Sequence, residues 1–379
     1  MSILAETWAA ARAWLFEAVL PLWSTVGRDL AGGGYYDEIL PDLRPNPKAK
    51  RCRVQGRQTY VFWAAGEMGW QGPVEALVRA GAEALLADYR KPNGLFRSEV
   101  APDGRHLDEA QDNYDQAFAL FGLAQAHRLT GEARYREAAG ACLAALERLK
   151  AHPAGGFEEQ GAAPLPLLAN PHMHLLEAAL AWCAADADPA WGQLADRLAA
   201  LALAHFVDPA SGALLELFDA DWHPWPGGGA LFWEPGHQYE WGWLLARWSA
   251  LRGRSLPPEA PALIDLAEAR GLGPDGLPVN RVALDGRHLD PRARLWPHSE
   301  RLKAMLALAR LRPEERPHYE AAAAASWRAL GLYAGDLPPG LWRDQRAPDG
   351  SLDEAPSKAS SLYHIACAAL ELQIYLRGR

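Results

Sequence analysis

The stretch "NGLFRSEVAPDGR", residues 93–105, has a near counterpart far along the chain in "DGLPVNRVALDGR", residues 275–287. Both are glycine-rich turn segments with a short run of strand-like residues between the turns. Four more segments carry the pattern: "GGGYYDEILPD" from residue 32, "GGFEEQG" from 155, "SGALLELFDADW" from 211 and "GLWRDQRAPDG" from 340. With Gly34, Gly94, Gly156, Gly212, Gly276 and Gly340 as markers, the successive gaps are 60, 62, 56, 64 and 64 residues. A period near sixty is too long for a tetratricopeptide or ankyrin unit and suits two ordinary helices with their connections.

The text between the turns is helical. "GPVEALVRAGAEALLADY", "DQAFALFGLAQAHRL", "YREAAGACLAALERL" and "SERLKAMLALARL" place apolar residues at three- and four-residue steps and are rich in Ala and Leu,. Six helical hairpins can stack as an open solenoid or close into a ring, and six pairs suffice to close. The expectation is an all-α fold, an (α/α)6 barrel of six helical hairpins with short β-hairpin-like loops at one end. No Pro/Gly/Ser-rich linker interrupts the register, so residues 1–379 are read as one catalytic domain,.

Composition narrows the function. A 49% hydrophobic content supplies a core, and a net charge of −9 argues against nucleic acid, whose partners carry basic patches,. The four cysteines, Cys52, Cys142, Cys183 and Cys367, are scattered and form neither a disulfide framework nor a zinc motif,. Glu6, Arg12 and Glu17 break the apolar start of the chain, so no signal peptide is read there,. No apolar run is long enough to span a membrane. A cytoplasmic protein, monomer or homodimer, with a small uncharged partner is the expectation. The 16 tryptophans read first as core filling between helices and second as stacking surfaces for sugar rings,.

A second periodicity lies inside the first. Arg57, Asp115, His174, His237, Glu300 and His364 follow the turns at gaps of 58, 59, 63, 63 and 64 residues, each beside an apolar helix. One polar group per repeat, at equivalent positions, converges on one end of a ring axis, where a pocket belongs. Within "NPHMHLLEA", His172 and His174 lie about 200° apart around a helix, so only one of them faces that axis,. His174 shares a face with Glu177, and the same step recurs in His237 and Glu240,. His298 is left open, and the remaining histidines read as surface or loop residues.

The chemistry follows from the residue types. His174, His237 and His364 with Glu300 could nominally hold a metal, but no HExxH or other chelating spacing is present and no metal or cofactor is read. No GxSxG elbow marks a serine nucleophile, and "GGG" at 32–34 lacks the lysine of a phosphate loop. A carboxylate-pair glycosidase built on Asp115, Glu240 or Glu300 and a silent sugar binder remain alternatives. Histidines with one arginine and aromatic walls suit proton transfer beside a carbonyl, where imidazole takes a C–H proton and a cation stabilises the enediolate.

In "VQGRQTYVF", "NYDQAFALFGLAQAHRLTG", "NPHMHLLEA", "EPGHQYEWGWLL", "LWPHSERLKA" and "SLYHIA" the chain resembles the N-acylglucosamine 2-epimerase family over roughly residues 30–370. That family includes mannose isomerases and cellobiose 2-epimerases, and its fold is the (α/α)6 barrel. The resemblance implies that His237 and His364 are the acid–base pair, His174 a third pocket histidine and Arg57 the group that stabilises the enediolate. It implies that Glu240 orients His237 and that Glu300 is a pocket glutamate. Tyr114, Asn170 and Trp296 are implied substrate contacts, and Asp115 and Glu177 are counted with the binding residues. His172 is implied to be a neighbour rather than a worker. Short loops favour an aldose–ketose isomerase, mannose to fructose, over a 2-epimerase acting on mannose/glucose, N-acylglucosamine or a disaccharide. The Gly run in "DADWHPWPGGGALFW", residues 219–233, suggests a loop able to close over the pocket,.

Overall fold

The computed structural model describes residues 2–159, 165–227 and 229–378. In chain order the helices are α1 (Ile3–Trp14), α2 (Leu20–Thr25), α3 (Cys52–Met68), α4 (Val74–Ala84), α5 (Asn113–Thr130), α6 (Ala133–Leu149) and α7 (Ala169–Ala185). They continue with α8 (Pro189–Leu201), α9 (Pro235–Arg252), α10 (Glu259–Arg270), α11 (Trp296–Leu311), α12 (Arg316–Ala329) and α13 (Ala359–Arg377). A wide-turn segment, Leu15–Val19, joins α1 to α2 as one continuous rod.

The odd-numbered helices from α3 onward form a closed inner ring: α3 packs on α5, α5 on α7, α7 on α9, α9 on α11, α11 on α13, and α13 back on α3. The remaining helices lie outside it, with α1 against α12 and α13. This is the expected (α/α)6 barrel. Inner helices are buried on almost every face, as in α5, where Asp115 through Ala126 are all buried. Outer α4 instead buries one stripe, centred on Leu77, Val78, Gly81 and Ala82. A helix surrounded by others needs no solvent-facing stripe, which is why the buried residues of α3 and α5 fall on every face,. Left-handed glycines close several of them: Gly69 after α3, Gly131 after α5 and Gly253 after α9,.

The six marker glycines all adopt positive φ, from 69° at Gly34 to 98° at Gly94. A β-carbon is disfavoured in that backbone region, so the turn demands glycine once per repeat, and this is what made the period visible. The strands beside these turns are two or three residues long. They are β1 (Glu38–Ile39), β2 (Lys50–Arg51), β3 (Glu99–Val100), β4 (His106–Asp108), β5 (Leu167–Leu168) and β6 (Leu217–Phe218). Then come β7 (Phe232–Trp233), β8 (Arg281–Ala283), β9 (His288–Asp290), β10 (Ala293–Arg294), β11 (Gln345–Arg346) and β12 (Ser357–Lys358). The hairpins expected within loops exist as β3–β4 and β8–β9. The other pairings differ from that expectation, because they join loops of neighbouring repeats: β2–β3, β5–β6, β7–β8 and β10–β11. Antiparallel β1–β12, with Glu38 opposite Lys358, joins the first repeat to the last.

Of the segment 219–233, the first part is anchored rather than free to close. Trp222 is 1% exposed, packs on Phe206 and Phe218, and donates its indole N–H to Gly155 O at 3.0 Å. Phe232 and Trp233 are held in β7, and Gly228 lies outside the described residues. Among the described residues no helix is long and apolar enough to cross a membrane.

The inner ring is closely packed where α3 meets α5. A β-carbon on Gly56 would sit 1.9 Å from Phe118 O, and one on Gly122 would sit 2.6 Å from the Gly56 Cα. A Gly56→Ala protein should lose at least ~2 kcal/mol in urea denaturation, because neither backbone can retreat. Gly140→Ala on α6, with nothing within 4 Å, should instead gain about 0.5–1 kcal/mol,. Equal effects at the two sites would contradict this packing.

Candidate active site

At the loop end of the ring axis lies a cavity of about 530 Å³, within the ~300–1,000 Å³ range usual for small-molecule sites. Each inner helix contributes near its N-terminus: Arg57 from α3, Tyr114 from α5, Asn170 and His174 from α7, His237 and Glu240 from α9, Trp296 from α11 and His364 from α13. Eight of the predicted residues therefore meet in one space.

Trp296 forms a wall between the two histidines, with ring centroids 5.2 Å from both His237 and His364. Across from it Arg57 stacks on Phe118, its guanidinium carbon 4.0 Å from the ring centre, and donates to Tyr114 Oη at 2.6 Å. The Nε of Arg57 and the Oδ1 of Asn170 are buried with no partner in the protein. Both oxygens of Glu240 are in the same condition. Buried polar atoms of this kind are costly unless a ligand or water meets them.

The three histidines sit in different electrostatic settings. Burial works against an imidazolium at His237, yet Glu216, accepting from Nδ1 at 2.9 Å, and Glu234 and Glu240 nearby outweigh it and raise its pKa to about 9. Burial dominates at His174 and lowers it to about 4, despite Glu177 Oε2 at 3.3 Å from Nδ1. At His364 burial, reinforced by the positive charges of Arg57 and Lys303, pushes the pKa well below the usual value, while Nδ1 is 2.7 Å from Glu300 Oε1. At neutral pH the site thus pairs a cationic His237 with a neutral His364, one proton donor and one acceptor.

Four expectations are corrected. Glu240 does not orient His237, because Glu216 on the turn before β6 has taken Nδ1. Asp115 is not a substrate contact: it is 0% exposed and accepts from Arg53 Nε at 2.8 Å, Arg53 Nη2 at 3.0 Å and Ser98 Oγ at 2.7 Å. Glu177 stands behind His174, bonded to it and to the hydroxyl of Tyr363. Glu300 stands behind His364 in the same way. His172 is indeed a neighbour. Its Nε2 accepts from Phe157 N at 2.9 Å and its Nδ1 donates to Leu168 O at 2.8 Å, so it ties a turn to α7. His298, left open from the sequence, is buried against Tyr333 Oη at 3.0 Å.

Glu216 went unnoticed, although its signal was present. It belongs to a third column, a few residues after each marker glycine, made of Asp37, Ser98, Glu159, Glu216, Asn280 and Asp344. Members of this column bond to the start of an inner helix or the strand before it: Asp37 to Arg51, Ser98 to Asp115, Asn280 to Arg294 and Asp344 to Ser361. A metal could draw on two buried sets, His174–Glu177–Glu240 or Glu240–Glu300–His364, each with ligand atoms within 4.8 Å of one another. Lys303 already places its ammonium 2.5 Å from Glu300 Oε2.

The chain is 41% identical to mannose-6-phosphate isomerase of Rhizobium meliloti over 372 residues, covering 96% of each protein. It is 29% identical to D-mannose isomerase of Thermobifida fusca over 324 residues, 78% of this chain and 76% of that protein. The structure of cellobiose 2-epimerase from Spirochaeta thermophila superposes with a TM-score of 0.87 at 24% identity, covering 99% of this chain and 98% of the other. A D-mannose isomerase structure gives 0.84 at 19% identity with 97% of each covered, and both likenesses concern the fold. The barrel and these relatives define an enzyme of the sugar isomerase and epimerase type. Residues 34–368 match the N-acylglucosamine 2-epimerase (GlcNAc 2-epimerase) family, and the chain belongs to it.

The His237–Glu216 pair gives a direct test. Proton titration by NMR should find His237 with a pKa near 9, falling by at least one unit in Glu216→Gln,. Because the folded value is raised, the stability this pair contributes is complete below about pH 6.5 and is lost as the pH rises through about 9,. An unchanged titration in the variant would remove Glu216 from this role.

Proposed function

We propose that the enzyme interconverts a free aldose and its ketose, D-mannose and D-fructose, by histidine acid–base catalysis through an enediolate. The observation that carries this reading is the placement of two histidines either side of Trp296, His237 with Nδ1 on Glu216 and His364 with Nδ1 on Glu300. His364, neutral and with Nδ1 on Glu300, turns a free Nε2 lone pair towards the cavity and removes the proton at C2. The guanidinium of Arg57, with Tyr114, stabilises the negative oxygen that develops at C1. His237, already protonated, supplies the proton that the sugar oxygen needs. Protonation of C1 by His364, with the O2 proton passing back to His237 as the C2 carbonyl forms, gives the ketose, and protonation of C2 on its other face gives the epimer. His174, neutral and held by Glu177, is suited to bind or open the pyranose ring. Trp296 offers a flat apolar face for stacking.

An uncharged sugar is favoured over a phosphate ester by the state of the cations at the mouth. Arg51 is bound to Asp37, Arg294 to Glu234, Lys358 to Asp344 at 3.0 Å and Lys48 to Glu38 at 3.4 Å. A phosphate dianion is held best by an arginine or lysine free of other pairing; these four have carboxylate partners, and Arg57, whose Nε is unpartnered, stands beside the catalytic histidine of this proposal rather than at the mouth. The relative from Rhizobium meliloti carries mannose 6-phosphate in its name, so both sugars belong in the assay.

Proton NMR with D-mannose in deuterated water should show fructose with deuterium incorporated. Glucose as first product would replace the isomerase with a 2-epimerase using the same residues, and turnover of mannose 6-phosphate alone would reject the neutral substrate. His364→Ala and His237→Ala should each lower kcat by at least ~10²-fold, the scale of a general acid or base. Arg57→Lys should also be damaging, since a point charge does not replace a planar fork. Near-normal turnover in any of the three would dismiss that residue's assignment.

A further inference from the structure

Beneath the cavity floor lies a buried lysine that the reaction as described does not use. Lys303 is 0% exposed, one turn along α11 from Glu300, and does not line the cavity. Its ammonium is 2.5 Å from Glu300 Oε2, 3.6 Å from Cys367 Sγ and 3.9 Å from the centre of the Trp243 ring. The titratable groups that face this cluster are Glu240 and His237 from α9, Glu177 and His174 from α7, and His364, Tyr363 and Cys367 from α13, with Arg57 of α3 nearby. Three fully enclosed carboxylates, Glu177, Glu240 and Glu300, therefore share one buried ammonium. A lysine is not taken out of water without cause, since isolated burial of the charge is strongly unfavourable.

We propose that Lys303 is a positioning residue for the proton transfer: its charge keeps Glu300 ionised, so that Glu300 accepts the Nδ1 proton of His364 and leaves Nε2 bare as the base. This inference rests on the acid–base reading of His364. The tautomer is the point at issue. An ionised Glu300 can only accept, so the imidazole must carry its proton on Nδ1. A protonated Glu300 would donate to Nδ1 and move the ring proton to Nε2, where it faces the sugar and blocks abstraction. Burial raises the Glu300 carboxyl, with Lys303 opposing that rise, and burial with the charge of Glu300 raises Glu240 well above the carboxylate range. The ammonium thus divides the group: Glu300 has Lys303 as a direct counter-charge at 2.5 Å, while the oxygens of Glu240 have no hydrogen-bond partner and its carboxyl is raised further.

The test is Lys303→Met, assayed on whichever sugar the parent turns over. At pH 7 kcat should fall at least ~10-fold with KM within ~3-fold. The ascending limb of the kcat profile should move up by a pH unit or more, because Glu300 must then ionise without its counter-charge and His364 loses a cation that lowered its own pKa. Much of the lost rate should return at alkaline pH. Lys303→Gln, which keeps a hydrogen-bond donor without the charge, should show the same displaced limb and carries the test if the methionine variant does not fold. A limb that stays in place, a loss equal at every pH, or a loss confined to KM would overturn the proposal. A parent that turns over no sugar would overturn the functional reading instead. Thermal unfolding then decides on Lys303: the Tm deficit of the variant should widen from pH 5 to pH 8 as the raised carboxyl is forced to ionise. A deficit constant with pH would mean that the lysine only fills space.

Discussion

The barrel depends on a two-pronged clamp between three inner helices, α3, α5 and α9, and the backbone that follows a marker glycine. Gln55 Oε1 accepts from Tyr35 N at 2.8 Å while its Nε2 donates to Tyr35 O at 3.0 Å. Gln116 does the same to Phe96, at 2.7 and 2.8 Å, and Gln238 to Leu214, at 2.9 and 2.8 Å. In the third repeat His172 takes the place of the amide and accepts from Phe157. The clamped backbone is buried, and an orphaned peptide group there costs about 1–3 kcal/mol. Once the clamp is closed the next few residues have no freedom, and the polar column that contains Glu216 is aimed at the helix ends. The pocket is thus assembled from peptide-group satisfaction as much as from apolar packing.

The repeat count, the ring and four of the cavity residues, Arg57, His174, His237 and His364, could be read from the periodicity because each rests on a rule that acts locally; Tyr114, Asn170 and Trp296 came only from the family resemblance. A turn that requires positive φ selects glycine, a helix surrounded by helices selects Ala and Leu, and equivalent repeat positions point to the same axis. The partners of those residues were not legible in the same way. Glu216 reaches His237 across 21 residues, and Glu300 reaches His364 across 64. The H-x-x-E spacing suggested Glu240 for His237, since residues three apart share a helix face. The imidazole instead turned to a nearer carboxylate on the turn before β6. Asp115 shows the same limit: its repeat position was right for the axis, but the guanidinium of Arg53 captured it first.

The three cavity histidines illustrate how one environment yields opposite protonation preferences. All three are removed from water, which by itself favours the neutral ring. Each has a carboxylate on Nδ1 and others in range, but only at His237, beside Glu216, Glu234 and Glu240, does charge attraction exceed the loss of hydration. His364 also has a carboxylate on Nδ1, but Arg57 and Lys303 cancel much of its field. Proximity of a glutamate therefore does not decide protonation; the balance of charges around the pair does.

The pairing of β1 with β12 makes the assembly a loop without ends. In an open array of helical hairpins the outermost units have a neighbour on one side only, so they fray first and need a polar cap. Here α1 rests on α12 and α13, and α13 rests on α3, so the first and last repeats are interior. The contact that closes the circle spans almost the whole chain, which makes it the entropically costliest to form. It also brings His364 to the side of Arg57. The cavity acquires Arg57 and His364 as neighbours only when the two extremities of the polypeptide have found each other, so a partly made or truncated chain lacks that wall of the pocket.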